Sequence, residues 1–376
     1  MRVEICGPAG DPSGYGHDCR QLAHSLMNVG VDLSIKVTNF DKPGFTCDYG
    51  AVESVLRPRI KNVENVDAQL LVSTPEFWEA SARKDCYTIG RVFWETDRID
   101  SRWVDYVKES DIDELWLPSQ WQINVFRKDF PTMPMTVVPC AHDTSGFDVD
   151  VEPLDLSEFG VSEDTFIFGA GFQWTKRKNP QGLITAYLAE FSESDPVTLV
   201  LKTYGADDSD AEVQRILGEI VQIQKNTGLS DNPSMAIITQ LLSFEMMLQF
   251  RKRTDCGVYP HRGEGWGLHI SESMLMGTPC IVTDWSATTE FCDETNSYLI
   301  DSTLTPVSGM PWCPWYNARQ NWAGPDLVQL RKAMRQAFDN REALEARGSE
   351  ARKKIETCYS LEAVGALMRT RLMEIE

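Results

Sequence analysis

The chain has 376 residues, 42% hydrophobic and 24% charged, a soluble globular composition long enough for two α/β domains. Its formal net charge of −20 argues against a broad polyanion-binding face. No apolar run of about 18 residues is present to span a membrane. Met1-Arg-Val-Glu-Ile5 enters a strand-like stretch without a signal-peptide core. Ten scattered cysteines include no Cys-x-x-Cys pair, so free thiols in a cytoplasmic setting are expected. The five histidines show no metal-ligand spacing.

Residues 2–7 predict a buried first strand. Gly7-Pro-Ala-Gly-Asp-Pro-Ser-Gly-Tyr-Gly16 follows as a glycine-rich loop, and residues 19–29 have helical periodicity, with Cys19, Leu22, Ala23 and Leu26 apolar. The loop lacks Gly-x-Gly-x-x-Gly spacing, which weighs against a dehydrogenase-type dinucleotide site. Further strands are expected over 31–37, 69–73, 87–93, 114–117 and 136–139. An amphipathic stretch covers 103–110, and Ser119 caps a helix running to Phe126. This alternation predicts a doubly wound parallel sheet. Glu95 and Asp97 sit where a strand ends, the ligand side of such sheets; capping of the next helix explains a strand-end carboxylate equally well.

Residues 143–164 are polar and acidic and mark a linker between domains spanning 1–150 and 151–357. The second domain opens with a strand over 165–171. Lys176-Arg177-Lys178 follows at a strand-to-helix turn, where cations suit a diphosphate. A helix is expected over 181–191, a strand over 197–201 ending at Lys202, a helix over 211–225 and a strand over 235–238. The loop Thr239-Gln240-Leu241-Leu242 and a helix over 244–251 come next. The Trp- and Pro-rich segment 311–325 has no period, and helices are expected over 326–339, 341–357 and 361–376.

Between these lies the most informative stretch. Cys256-Gly-Val-Tyr-Pro260 reads as a buried strand, Arg262-Gly-Glu-Gly-Trp-Gly-Leu-His-Ile-Ser-Glu272 as a glycine-rich loop entering a helix, and Cys280-Ile-Val-Thr283 as the next strand. Such a loop aims backbone N–H groups and the positive end of a helix at an anion. Glycines 263, 265 and 267 let the backbone come close. Glu264 and Glu272 can both face that ligand, and paired acceptors beside a phosphate site suit a molecule carrying diphosphate and sugar hydroxyls.

Glu264 and Glu272, with seven residues between them, resemble the signature of glycosyltransferase family 4, the retaining GT-B enzymes. The match extends through Gly277-Thr278-Pro279 and Glu290. The resemblance implies a GT-B fold, α/β with two Rossmann-like domains facing each other across a cleft, and a terminal helix (358–376) that returns to the first domain. It implies sugar transfer with retention from a nucleotide-diphosphate sugar, a UDP-sugar first, with no further cofactor and no metal. Glu264 then holds donor-sugar hydroxyls and Glu272 the ribose, while Lys178 with the amides of Gly267 and Leu268 binds the diphosphate. The family carries an arginine where this chain has Gln173, so Arg177 or Lys202 would supply the missing charge. Gly14, Tyr15 and Gly16 would face the donor diphosphate. Gln240 and Leu242 lie in the loop that lines the nucleobase pocket. Glu95 and Asp97 fall on the acceptor or sugar side, where relatives carry a histidine. His142 falls at a hinge.

Two other readings stand beside this one. A metal-dependent GT-A transferase would need an Asp-x-Asp motif, which Asp148-Val-Asp150 supplies only within the linker. A non-catalytic nucleotide-sugar-binding protein would keep the same donor site. Glycan, protein, small molecule and a hydroxylated base in DNA all remain open as acceptor, the net charge disfavouring the last.

Overall fold

The near-continuous apolar runs of the sequence become the buried strands of two parallel sheets. The computed structural model describes residues 1–38, 54–207 and 209–375; Cys47 and Glu376, part of the thiol count and of the expected last helix, lie outside them. The chain divides into a first unit, Met1–Thr144 with Glu356–Glu376, and a second, Ser145–Ile355.

In the first unit the chain runs β1 (Arg2–Gly7), α1 (Gly14–Asn28), β2 (Asp32–Val37), β3 (Ala68–Val72), α2 (Trp78–Ser81), β4 (Tyr87–Arg91), α3 (Ser101–Glu109), β5 (Glu114–Leu117), α4 (Gln120–Phe126) and β6 (Met135–Val137). The strands are parallel in the order β2-β1-β3-β4-β5-β6. Asp100 and Ser119 cap α3 and α4 by accepting from the backbone amides of Arg102 and Gln122. One expectation is corrected here. Gly14, Tyr15 and Gly16 are the first turn of α1 rather than a loop, because Ser13 caps the helix, its Oγ accepting from Gly16 N. A side chain at Gly16 would place its Cβ 2.0 Å from Asp11 O, so only glycine fits where the preceding turn folds back.

The buried Arg91 guanidinium ties β4 to α1 through both carboxylate oxygens of Asp18, at 2.9 and 2.8 Å. The chain's end completes this unit's core. Leu361, Val364, Met368 and Leu372 of the last helix, α11 (Leu361–Ile375), join the cluster built on Ile5, Leu22 and Leu70. Gly365 lets α11 approach the backbone of α1 at Ser25. His142 pairs its backbone with Tyr359 and Leu361.

In the second unit the elements are β7 (Phe166–Gln173), α5 (Pro180–Glu190), β8 (Val197–Tyr204), α6 (Asp210–Thr227), β9 (Ser234–Ile238), α7 (Phe244–Arg253), β10 (Cys256–Tyr259), α8 (Leu268–Leu275), β11 (Cys280–Thr283), β12 (Ser297–Ile300), β13 (Ser302–Pro306), β14 (Asn321–Pro325) and α9 (Leu327–Asp339); α10 (Arg341–Cys358) and α11 (Leu361–Ile375) follow. The strand order is β12-β11-β10-β7-β8-β9. The order reverses between β7 and β10, the switch point at which open α/β sheets bind ligands beyond their strand ends.

Three sequence expectations change in this unit. β8 runs on to Tyr204, so Lys202 lies inside the strand, opposite Gly171, rather than at its end. The Trp-rich segment is not wholly irregular: it ends as β14, which pairs antiparallel with β13. The linker 143–164 holds two short 3-10 turns, Thr144–Phe147 and Ser157–Phe159. Both turn polypeptide without a hydrophobic period, which is why neither showed in the pattern. No helix of the described residues is long and apolar enough to cross a membrane.

Candidate active site at the switch point of the second unit

Two loops leave the sheet at the switch point, one after β7 and one after β10. The first forms a single 3-10 turn, Lys176–Lys178, closed by Asn179 in the left-handed conformation (φ 57°). Pro180 then starts α5, its missing N–H being no loss in a first turn. The second loop carries Glu264 and ends at Gly267, whose φ of 101° turns the chain into α8. Backbone bonds join the loops, with Arg262 N donating to Arg177 O at 2.7 Å. Asn179 Nδ2 donates to Pro260 O at 3.0 Å.

The junction brings together the residues expected to carry chemistry. Lys178 Nζ donates to Glu264 Oε1 at 2.5 Å and Arg177 Nη1 to Oε2 at 3.2 Å. Arg177 Nη1 also donates to Gly263 O at 2.7 Å, so the guanidinium is held from two sides. Glu264 N donates to Ser286 Oγ at 2.8 Å, fixing the loop from below. Burial pushes the Glu264 carboxyl up, but the Lys178 and Arg177 charges more than offset it and hold it at about 2. Glu264 is therefore a fixed anion at neutral pH, unsuited to donating a proton.

Glu272, on the second turn of α8, pairs with Arg251 of α7, which is itself buried. Between the two ion pairs stands His269. Its ring packs against Gly171 of β7, the nearest atom lying 3.4 Å from where a Cβ would be. Burial pushes His269 down to about 4, with Glu272, Arg251, Lys178 and Glu264 all acting on it. His261 is likewise pushed down to about 4 by burial, and its Nε2 lies 3.3 Å from Thr288 Oγ1. Both histidines are neutral at pH 7.

Of the two cations considered for the place of the missing arginine, Arg177 is at the Glu264 carboxylate. Lys202 is buried in β8 with its ammonium 5.7 Å from the Tyr204 ring centroid, and burial lowers its pKa. Gln173 turns away from a charge role: its Nε2 donates to Gly205 O at 3.2 Å. In the loop after β9, Gln240 is exposed, and Leu242 packs against the core at Ile238 and Phe250.

Tyr15, Glu95 and Asp97 lie in the first unit, and the Asp-x-Asp pair in the second. Tyr15 Oη accepts from Phe93 N at 3.2 Å, and the two rings meet edge to face. Glu95 and Asp97 follow β4, half-buried, and Lys128 Nζ donates to Asp97 O. The cap of α3 is Asp100, so neither Glu95 nor Asp97 serves as that cap. Asp148 of the Asp-x-Asp pair accepts from Arg352 at 3.1 Å and is strongly exposed. Sequence reasoning missed Arg251, His261 and His269. His261 and His269 flank the glycine loop and were readable as candidates, whereas Arg251 carries no motif and becomes visible only through its contact with Glu272.

Gly267 offers a direct check of this geometry. A Cβ there would sit 3.2 Å from Ile270 Cδ1 and 3.3 Å from Thr288 Cγ2, on a backbone with positive φ. Gly267→Ala should cost about 1–2 kcal/mol from the left-handed conformation. Thermal unfolding should show Tm lowered by roughly 2–8 °C; an unchanged Tm would mean that the turn into α8 is not strained as described.

The comparisons with known proteins agree with this architecture. Residues 163–305, which include both loops of the site, match the model of the glycosyl transferases group 1 family. The fold is GT-B, two Rossmann-like units, and the stretch that matches the family model lies in the second. Sucrose-phosphate synthase from Thermosynechococcus elongatus superposes with a TM-score of 0.69 at 13% identity, over 100% of this chain and 99% of that one. The Anabaena HepE protein in complex with UDP-glucose gives 0.68 at 13% identity, over 100% of both chains. A trehalose-6-phosphate protein from E. coli bound with UDP-2-fluoro glucose gives 0.69 at 9% identity, again over 100% of both. At such identities the likeness establishes the fold. No curated protein sequence matches the chain.

Proposed function

We propose that the protein transfers a sugar from a nucleotide-diphosphate sugar to an acceptor hydroxyl with retention of anomeric configuration. The observation that carries this is the pair of cations, Lys178 and Arg177, held on Glu264 at the switch point beside the start of α8. Two fixed cations and a helix N-terminus form a site for a diphosphate, and a permanently ionised carboxylate beside them accepts from sugar hydroxyls. The UDP-sugar complexes of structurally similar proteins favour UDP as the nucleotide.

In this reading the acceptor oxygen forms its bond to the anomeric carbon on the face from which the nucleoside diphosphate departs. The bond from that carbon to the diphosphate oxygen breaks, and the acceptor's proton passes to a phosphate oxygen of the leaving group. Lys178, Arg177 and the amides of Gly267 and Leu268 stabilise the negative charge that grows on the diphosphate. Lys202 adds a desolvated positive charge from β8. Glu264 orients the donor sugar, and Glu272, itself oriented by Arg251, accepts from the ribose. The cations and helix end do the work of a metal.

Thermal-shift and nucleotide-release measurements against UDP-, GDP- and ADP-sugars in the presence of EDTA test the reading. One donor should raise Tm and be slowly hydrolysed without added metal. Stabilisation with no turnover in the presence of any acceptor tried would favour a binding protein, and loss of release in EDTA would overturn the metal-free mechanism.

A further inference from the structure

The Trp-rich segment, which the chemistry above leaves unused, forms one wall of a cavity of about 820 Å³ on the second unit. That volume is at the upper end for small-molecule pockets and leaves room for a short chain of sugar rings. The turn after β7 and the outer face of α6 form the other walls. Glu264 and Lys178 do not line it, although Lys176 and Arg262 from the same turn and loop do.

The lining is a polar network flanked by indoles. Trp174 is buried and its Nε1 donates to Glu219 Oε2 at 2.8 Å. Arg215 donates to Glu212 at 2.8 and 2.5 Å and to Glu219 at 2.5 Å, so one guanidinium fixes two carboxylates. On the opposite wall Trp312 remains 61% exposed, a large apolar surface left in water. Its loop is not loose. Val307, Met310 and Trp322 form a small core beneath it, Gln320 Nε2 donates to Trp315 O at 2.9 Å, and Cys313 N to Met310 O at 3.1 Å. Ala323 N donates to Arg262 O at 2.8 Å, anchoring the segment to the loop that carries Glu264.

We propose that this cavity is a second saccharide subsite, apart from the donor site, that takes a short chain of neutral sugars. A pyranose ring shows C–H groups on its faces and hydroxyls along its edge. The electron-rich face of an indole suits the first, and fixed carboxylates with their free lone pairs suit the second. The lining is mixed in charge rather than a focused anion site: Arg215 is matched by two carboxylates, two of the Arg262 nitrogens donate to Asn179 Oδ1 and Ala323 O, and Lys176 is exposed to solvent. The proposal stands on the cavity's own lining and does not require the transferase reading.

The test is calorimetric titration of the full chain with short malto-, cello-, manno- and chito-oligosaccharides, and with glucose 6-phosphate as the anionic probe. At least one neutral series should bind, and saturating UDP should not displace it. Trp312→Ala should weaken that binding about tenfold or more, at unchanged Tm, whereas Trp312→Phe should retain most of it. Failure of every neutral oligosaccharide to bind, selective binding of glucose 6-phosphate, or equal binding by Trp312→Ala would each overturn the subsite. The donor-induced thermal shift is read separately, so either proposal can fail alone.

Discussion

Replacing Glu264 with glutamine should lower kcat for sugar transfer by roughly a hundred- to a thousandfold, the loss seen when one preorganised electrostatic contact is removed from an active site. The amide keeps the shape of the carboxylate but not its charge. Lys178 and Arg177 would then lose the partner that sets their positions, at 2.5 and 3.2 Å in the folded protein. The effect is expected in kcat more than in KM, because the cations act most strongly on charge that develops as the diphosphate leaves. Steady-state kinetics with the donor identified by thermal shift provide the measurement. Circular dichroism and unfolding curves on the same variant separate lost chemistry from lost structure. A kcat within a few-fold of wild type, with the fold intact, would remove Glu264 from the mechanism.

The second large effect is on stability towards acid. His261 and His269 have folded-state pKa values pushed down to about 4 from an ordinary 6.5, chiefly by burial. Between those values the unfolded chain binds two protons that the folded protein refuses, so stability must fall as pH drops from 6.5 to 4. A shift of this size corresponds to about 3 kcal/mol for each histidine. The sum is comparable with the whole stability of an ordinary domain. Glu264 acts in a lower window. Its pKa is depressed from 4.5 to about 2, so its stabilisation is complete above 4.5 and is lost as pH falls towards 2. Urea unfolding as a function of pH should therefore show the steep decline beginning near 6.5 rather than near 4.5. A His261→Gln, His269→Gln double variant should flatten the upper part and leave the lower part in place. A flat profile from 6.5 to 5 in the wild type would contradict the lowered pKa of both rings.

Much of this protein is legible in one dimension. Short apolar runs such as Leu70-Leu-Val72 and Cys280-Ile-Val-Thr283, bounded by turn residues, read as buried parallel strands, and Ser119 before Gln120 starts a helix by its own hydroxyl. The spacing from Glu264 to Glu272, with glycines between, fixed the loop-to-helix turn, since only glycine takes the φ found at Gly267. The elements that escaped are those too short or too irregular to show a period, the four-residue β12 among them. The hairpin of β13 and β14 is short, its pairing is set by residues some twenty positions apart, and its Pro, Trp and Asn content reads locally as loop.

The sequence by itself determined the fold class and the two loops at which chemistry could sit, because periodicity, capping and positive φ are local properties of a chain. Only the tertiary structure decided which charges meet. It set Arg177, and not Gln173, beside Glu264, gave Glu272 to Arg251, buried Lys202 within β8, closed His261 from water and set His269 among four charged side chains. Ion pairing and desolvation depend on distances between residues far apart in sequence, and those distances are set by how strands and helices pack rather than by any pattern along the chain.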